Sequence, residues 1–242
     1  MAARGGPQRK GARAKPATKR SAGGASKPPP RSRPQQAGQP VEPMPAGPFR
    51  LGTVPGTTPG KWIDTWKQRM PRVPLELVPL EVAGQRDALR QDDVDAAIVR
   101  LPLDRDGLHV IPLYDEVPVV VCAADSHLTA ADELAIADLA GEALLVPRDD
   151  VLHLTVAGTE PSRFDPVDTT GEAIATVASG VGIVIVPMSL ARLHHRRDVE
   201  YRPLVDAPVS PVALAWPVDA ATDLIDVFVG IVRGRTANSS RG

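Results

Sequence analysis

The sequence predicts an α/β fold, with strands and helices alternating from about residue 49 to residue 234. Two observations support this class. Short apolar runs alternate with segments of helical periodicity, as in α/β domains with largely parallel sheets. Several of these runs are rich in β-branched residues and apolar throughout, which is typical of strands buried on both faces. No internal repeat with a period of 20 to 50 residues is visible.

The clearest single unit spans residues 169–187 and combines a helix start, a glycine stop and a buried strand. Thr169 is placed as the N-cap, with Glu172 three residues later to complete a capping box. Gly180 suits the left-handed position just past the helix end, and the run 183–186 reads as a strand. The buried helix face is predicted to comprise Ile174, Val177 and Ala178. Such a unit directs helical N–H groups at the space in front of the sheet, where a small anion can bind.

The remaining elements follow from the same signals in chain order. Thr58 followed by Pro59 is a helix start signal, and the predicted helix runs to about Met70. The other helices are predicted at 83–91, 131–139, 187–193 and 221–232. Strands are predicted at 49–54, at 75–80 (half-exposed), and at 95–99, 108–113, 117–123, 143–146, 199–204 and 212–216.

Charge divides the chain into two unlike parts. Of the 28 Lys and Arg residues, ten fall within 1–48, together with only one of the 29 acidic residues, Glu42. The rest of the chain therefore holds 18 basic and 28 acidic residues. The leading segment also contains ten of the 26 prolines and almost no bulky apolar residues. We expect 1–48 to be a disordered basic arm, and 235–242 to be a flexible tail.

The sequence contains neither the apolar core of a secretory signal nor a run long enough to span a membrane. Cys122 is the single cysteine, so the chain cannot form an internal disulfide, and its strand-like setting indicates a buried thiol. These features predict a cytoplasmic protein.

Five segments together resemble the effector-binding domain of LysR-type transcriptional regulators. They are 49–53, 69–77, 93–99, 117–128 and 177–187, in family order and at near-family spacing. The resemblance covers about 49–234 and implies the periplasmic-binding-protein type II fold. In that fold two α/β lobes are joined by two crossover strands and enclose a ligand cleft. Lobe I is expected at about 49–117 and 206–234, and lobe II at about 118–205.

The sequence departs from that family in two respects. The family carries a winged helix-turn-helix before this domain, and residues 1–48 have no apolar periodicity that could form one. The stretch between Val146 and Asp165 is shorter than usual and lacks a predicted helix. This second departure affects the cleft wall of lobe II.

Ligands of open α/β sheets bind beyond the carboxyl ends of strands and at helix N-termini. The resemblance implies that hydroxyl-bearing loops at these positions hold a small effector, often a carboxylate. The predicted ligand-binding residues are Thr57, Thr58, Arg100, Pro147, Arg148, Thr169 and Thr170. The alternative interpretation is helix capping for the threonines and solvated surface charge for the arginines.

No catalytic constellation, metal site or cofactor motif is recognisable, and the chain is predicted not to be an enzyme. The basic run 192–197 with its two adjacent histidines is interpreted as a helix end that offsets the macrodipole.

In the arm, lysines and arginines are spread among Pro, Gly and Ala, and there are no aromatic residues. This composition favours contact with DNA phosphates without recognition of the base sequence. The predicted DNA-contacting residues of the arm are Arg9, Lys10, Arg13, Lys15, Lys19, Arg20, Arg31 and Arg33. The run Arg31-Ser32-Arg33-Pro34 resembles the core of an AT-hook, with Ser in place of the central Gly. A solubilising tail is the alternative.

The family resemblance places a dimer face on the first helix and the 75–80 strand, with Trp62, Trp66 and Leu77 as its predicted residues. Core packing is the alternative for both tryptophans. The sequence thus predicts a homodimeric, ligand-sensing transcriptional regulator that binds a small anionic effector and contacts DNA through its arm. A chromatin-type DNA-binding protein with a dimerising globular domain, or an enzyme on the same fold, is the alternative.

Overall fold

The computed structural model describes residues 47–220 and 223–234. Residues 1–46 of the predicted basic arm, with its DNA-contacting residues and AT-hook-like run, and the predicted C-terminal tail lie outside these residues. The strands are β1 (Phe49–Thr53), β2 (Leu75–Pro79), β3 (Ala96–Arg100), β4 (Leu108–Glu116), β5 (Pro118–Ala123), β6 (Ala143–Leu144), β7 (Glu160–Pro161), β8 (Val184–Pro187), β9 (Val199–Pro203) and β10 (Ser210–Pro217). The α-helices are α1 (Gly60–Arg69), α2 (Gln85–Arg90), α3 (Thr170–Val177), α4 (Met188–Leu193) and α5 (Asp223–Val232).

The first lobe is built on a five-stranded sheet in the order β2-β1-β3-β10-β4. Strands β1, β2 and β3 are parallel, whereas β10 runs antiparallel to both β3 and β4. Helices α1, α2 and α5 belong to this lobe. The register that pairs Leu51 with both Leu77 and Ala96 sets the carboxyl ends of the three parallel strands at one edge.

The second lobe is built on a three-stranded sheet in the order β8-β5-β9, in which both pairings are antiparallel. An isolated parallel bridge between Leu144 and Ile183 connects β6 to the residue just before β8. Strand β6 in turn pairs with β7. Helices α3 and α4 belong to this lobe. The chain crosses between the lobes at Val117, and again between β9 and β10. The expected parallel pairing therefore holds for β1, β2 and β3 and for the short β6–β7 pair. The crossover connections place β5 and β10 antiparallel to their neighbours.

The two lobes have different cores. In the first, Phe49 stacks on Trp66 at a centroid distance of 4.7 Å and meets Phe228 at 5.1 Å. In the second, the alternation along β5 divides an aliphatic core between two faces of the sheet. Val119 and Val121 face α3 and α4, whereas Val120 and Cys122 face the loops on the other side.

Trp66 is a core residue of the first lobe, which corrects its predicted place at a dimer face. Its side chain is fully buried against Phe49 and Phe228, and its indole N–H donates to the carbonyl of Val73 at 2.9 Å. A side chain enclosed in this way cannot contact a partner subunit. Trp62 is half-buried and Leu77 is 48% exposed, so both remain available for such a face.

The α3–β8 unit follows the sequence closely. The Glu172 N–H donates to the Thr169 hydroxyl, and the Thr169 N–H donates to the Glu172 carboxylate. Gly180 has φ +80° after the helix, and all of β8 is buried. Ala178 is only half-buried, and Ala173 lies on the buried face with Ile174 and Val177 instead.

Two predicted helices differ in the structure. The 83–91 helix is a 3₁₀ turn, Val82–Gly84, followed by α2. The 131–139 helix is replaced by 3₁₀ turns at His127–Ala130 and Ile136–Leu139. Leu134, between those turns, receives a backbone bond from Val205 and donates one to Pro203, each 2.9 Å long. Pairing with the crossover therefore overrides the weak local helical pattern.

Helix α1 begins one residue later than predicted. Pro59 occupies the N-cap position, and its carbonyl accepts from the N–H groups of Trp62 and Ile63. Thr58 therefore does not cap the helix. Within residues 47–220 and 223–234, no helix is long and apolar enough to cross a membrane.

Candidate functional site

The carboxyl end of β3 places a cation at the boundary of the two lobes. Arg100 is the last residue of β3 and is 1% exposed. The Gln85 side chain, at the start of α2, clamps its backbone by donating to the Arg100 carbonyl and accepting from the Arg100 N–H, both at 2.9 Å. This clamp fixes the direction in which the guanidinium leaves the strand.

One guanidinium nitrogen, Nη1, contacts both crossover connections. It donates to the Glu116 carboxylate at 3.0 Å and to the Ser210 hydroxyl at 3.2 Å. Glu116 ends β4 just before the first crossover, and Ser210 begins β10 just after the second. Arg100 thus ties together the two connections on which any motion between the lobes depends.

The other terminal nitrogen, Nη2, reaches from the first lobe to the second. It donates to the Pro55 carbonyl at 3.3 Å and to the Ser189 hydroxyl, in the first turn of α4, at 3.0 Å. The Ser189 hydroxyl in turn donates to Glu116 at 2.8 Å. We call this group the Arg100 junction, and it comprises Arg100, Glu116, Ser189, Ser210 and the Pro55–Gly56 loop.

Gly56 is required where that loop meets the second lobe. Its φ is +86°, a conformation that residues with a Cβ rarely adopt. A Cβ at this position would also collide with the Ser189 hydroxyl and lie 3.2 Å from Arg100 Nη2. Glycine therefore allows the first-lobe loop to close against α4.

The Arg100 junction leaves one donor unused. The two terminal nitrogens make four hydrogen bonds to the partners above. Among the described residues, the buried Nε–H of Arg100 has no hydrogen-bond partner. A buried charge is costly unless it is paired, and Glu116 supplies that pairing. A buried donor without an acceptor carries a further cost that an incoming acceptor would remove.

A second group of predicted residues surrounds the start of α3. Thr170 is 3% exposed, and its hydroxyl donates to the Asp149 carboxylate at 2.8 Å. Arg148 lies on the surface and pairs with Asp168 at 3.0 Å. Glu172 also accepts from the Thr169 N–H. The polar groups at the start of α3 are therefore bound to two carboxylates of the chain itself, those of Asp149 and Glu172.

Helix α4 connects the two groups. Its first turn supplies Ser189, and its C-cap residue, His194, has its ring against the start of α3. A Cβ on Gly171 would lie 3.0 Å from His194 Nδ1. At 1.5 Å per residue, Ser189 and His194 are about 8 Å apart along the axis. The structure thus puts Arg100 and the Pro55–Gly56 loop together, and the α3 group at the other end of α4.

The other predicted residues have individual surroundings. The Thr57 hydroxyl donates to the Val54 carbonyl at 2.7 Å and closes the turn. Thr58 is exposed, and its hydroxyl makes no hydrogen bond to a described residue. Pro147 is buried beside Arg148.

Sequence reasoning did not find four members of this site: Gln85, Glu116, Ser189 and Ser210. Each is a polar residue at the end of an element, and such residues are usually exposed. Of these four residues, only Glu116 carried a local signal in the sequence. It directly precedes the apolar run 117–123, which is predicted as a strand.

Tyr114, beside the Arg100 junction, and Cys122, in the second-lobe core, have shifted pKa values. Partial burial raises the pKa of the Tyr114 phenol, although the residue is 39% exposed, and the nearby Glu116 carboxylate raises it further. Burial likewise raises the pKa of the Cys122 thiol. Both groups stay protonated at neutral pH. Among the described residues, no group of three or more His, Cys, Asp and Glu side chains could hold a metal ion.

Comparison with known proteins assigns the fold and the family. Residues 44–237 match the LysR substrate binding domain, so the chain belongs to that family. Its fold is the periplasmic-binding-protein type II fold, with two α/β lobes joined by two crossovers.

Individual relatives agree with that assignment. The HTH-type transcriptional regulator CatR of Pseudomonas putida is 34% identical over 151 residues, which is 58% of this chain and 52% of CatR. The reduced OxyR regulatory domain from Pseudomonas aeruginosa is 26% identical, with a TM-score of 0.62 over 78% of this chain and 98% of that one. The BenM effector binding domain with its effector benzoate is 23% identical, with a TM-score of 0.65 over 79% and 95% of the two chains. The chain spans about half the length of the curated regulators it matches.

Proposed function

We propose that this chain is the ligand-sensing part of a transcriptional regulator and that it binds a small anionic metabolite at the Arg100 junction. The observation that carries the proposal is the buried guanidinium of Arg100, which contacts both lobes and keeps an unpaired Nε–H. The matched relatives are transcriptional regulators rather than enzymes.

The chemistry of the junction favours a carboxylate. A guanidinium presents its N–H groups in a planar fork that matches the two oxygens of a carboxylate. The effector named for BenM, benzoate, is such a molecule. A carboxylate that reached Arg100 would compete with Glu116 and supply an acceptor for Nε–H.

Competition between Glu116 and a ligand carboxylate also explains how ligand binding could change the arrangement of the lobes. The Glu116 carboxylate holds Arg100 and accepts from Ser189 of the second lobe, so displacing it loosens a contact between the lobes. A ligand shifts a conformational equilibrium only by the difference in its affinity for the two states. The junction contacts hold the lobes in one arrangement. A ligand that replaces those contacts would therefore have different affinities for that arrangement and for any other.

The remaining predicted ligand residues flank this site. Thr57 and Thr58 lie on the first-lobe loop, and Thr58 has a hydroxyl free for a ligand. Thr169, Thr170, Pro147 and Arg148 lie on the second-lobe side. There a ligand oxygen would replace Asp149 as the partner of the Thr170 hydroxyl.

Regulation of transcription in the cell involves more than this domain. We propose that the regulator acts in the cytoplasm as a homodimer, with Trp62 and Leu77 at the subunit interface. The basic residues of the arm would add nonspecific DNA contacts.

Titration calorimetry with benzoate, backed by a panel of other small carboxylates, tests the ligand proposal. Arg100→Lys keeps the charge but loses the fork, and it should weaken carboxylate binding at least tenfold. Arg105→Lys, at an exposed first-lobe position, is the matched control and should bind as the unmodified chain does. Circular dichroism shows whether each variant is folded. The proposal fails if no carboxylate binds, or if the two variants bind equally well.

A further inference from the structure

The second lobe contains a cavity of about 480 Å³ that is separate from the Arg100 junction. It lies between β6, Thr176 near the C-terminal end of α3 and the irregular segment 154–167. Small-molecule sites in proteins are typically clefts of about 300 to 1,000 Å³. The cavity is therefore of a size that a small organic molecule can occupy.

Its origin lies in the segment that the sequence predicted to lack a helix. Among the described residues 145–169, only the two-residue strand β7 is regular structure. Asp150 turns the chain by accepting from the N–H groups of Leu152 and His153, and His153 has φ +50°. Gly158, with φ +85°, turns it again. The loop arches over the sheet edge without filling the space beneath it.

The floor of the cavity is apolar and its rim exposes large side chains. Leu144, Leu154 and Val156 line it and belong to the same cluster as the sheet face below. Val146 is 49% exposed and Phe164 is 60% exposed at its edge. Exposed apolar side chains gathered around a concavity are typical of a binding site and rare on an inert surface.

The polar groups of the cavity set the sign of the ligand's charge. Two carboxylates, Glu160 and Asp165, line it, and neither makes an ion pair or a side-chain hydrogen bond with a described residue. The other polar lining consists of hydroxyls, namely Thr155, Thr159, Ser162 and Thr176. No Lys, Arg or His of the part of the chain that the structure describes lines it. The cavity thus offers acceptors and negative charge above an apolar floor.

We propose that this second-lobe cavity binds a small amphiphilic cation, an amine with an apolar body. The apolar part rests on Leu144, Leu154 and Val156, and the ammonium group lies between Glu160 and Asp165. The site differs from the Arg100 junction in place and in charge preference, so it stands whether or not a carboxylate binds at that junction.

Three ligands with one apolar body test the charge preference by calorimetry on the full chain: 3-phenylpropylamine, 3-phenylpropan-1-ol and 3-phenylpropanoate. We expect one amine to bind per chain. The alcohol should bind about three- to tenfold more weakly and the carboxylate more weakly still, as expected for partly exposed charges. Added salt should weaken the amine only.

Two variants locate the binding. Glu160→Gln with Asp165→Asn keeps the cavity shape and should lower amine affinity to that of the alcohol. Thr155→Trp, at an exposed lining position, fills the cavity and should abolish binding of all three ligands. Asp132→Asn with Glu133→Gln removes the same charge from an exposed part of this lobe outside the cavity, and should leave binding unchanged. Equal binding of the three ligands, no binding of the amine, or equal effects of the two charge-removing variants would overturn the proposal.

Discussion

The Arg100 junction and the second-lobe cavity are opposite kinds of site. The junction is closed, built on the buried Arg100–Glu116 ion pair and almost fully hydrogen-bonded, whereas the cavity is open, acidic and lined by groups with few partners. A ligand at the junction must replace a contact that the chain already makes between its lobes. A ligand in the cavity need not break any such contact. Binding at the junction can therefore change the arrangement of the lobes directly, and binding in the cavity mainly stabilises one lobe.

Glu116→Gln should have the largest effect on stability. It leaves Arg100 as a buried charge without a counter-charge, and breaking a buried pair in this way costs about 3 to 5 kcal/mol. Urea unfolding followed by circular dichroism measures the loss. Glu200→Gln removes an exposed partner of Arg202 and should change the free energy of unfolding by less than about 1 kcal/mol.

The same variant tests whether the Arg100 junction is a ligand site. If Glu116 competes with a ligand carboxylate, benzoate should bind Glu116→Gln more tightly than the unmodified chain and recover part of the lost stability. Weaker benzoate binding, with the fold retained, would mean that Glu116 helps to form the ligand site and does not compete for it.

Ser189→Ala should have the next largest effect, because it removes the contact that crosses between the lobes. Ser189 accepts from Arg100 and donates to Glu116, and hydrogen bonds to charged groups contribute about 1.5 to 3 kcal/mol. We expect a loss near the lower end of that range in urea unfolding. Ser179→Ala, at an exposed serine that bonds only its own helix end, should cost less than about 1 kcal/mol. Equal losses would show that Ser189 does not hold the lobes together.

The sequence predicted two parts of the Arg100 junction, Arg100 and the loop at Gly56, for a definable reason. Arg100 and the loop at Gly56 follow strands whose carboxyl ends share one edge, and local pattern is enough to find such positions. Glu116 and Ser210 come together only because β10 pairs with both β3 and β4. Glu116 and Ser210 pair across 94 positions of sequence (210 − 116), and no local signal contains that pairing.

The same distinction explains the other outcomes. The capping box at Thr169 and the stop at Gly180 depend on residues a few positions apart, and both are confirmed. The predicted helix at 131–139 fails because Leu134 pairs with the distant second crossover. The family resemblance placed Trp66 at a dimer face, yet Phe49 and Phe228 enclose it in the core. The cavity was invisible because it results from a loop that leaves space unfilled.

Cys122 gives a smaller effect that reports on the cavity. Its thiol lies in the cluster that includes the cavity floor, and burial raises its pKa. The folded state therefore keeps the proton that the unfolded state releases above its ordinary value of about 8.5. The contribution of the buried protonated thiol to the free energy of unfolding is complete below that pH. It is lost as pH rises toward the pKa of the folded state.

Thiol labelling with a disulfide reagent measures this burial. At pH 8 we expect the folded chain to react at least about a hundredfold more slowly than the chain in urea, because only the opened form exposes a thiolate. Saturating 3-phenylpropylamine should slow labelling further if the amine rests on this floor. Fast labelling of the folded chain would contradict the burial of Cys122.

Arg148→Gln should have the smallest effect, and it tests how far the proposed ligand site extends toward α3. Arg148 and Asp168 are 66% and 80% exposed, and surface pairs of this kind contribute less than about 1 kcal/mol. The free energy of unfolding should therefore hardly change. If Arg148 faces a carboxylate bound at the Arg100 junction, benzoate affinity should fall about threefold, and Arg72→Gln, at an exposed first-lobe position, should leave it unchanged. If both variants bind benzoate with the same affinity, the ligand site is confined to the end of α4 that carries Ser189. The region around the other end of α4, where Arg148 lies, would then contribute neither charge nor contact to the ligand.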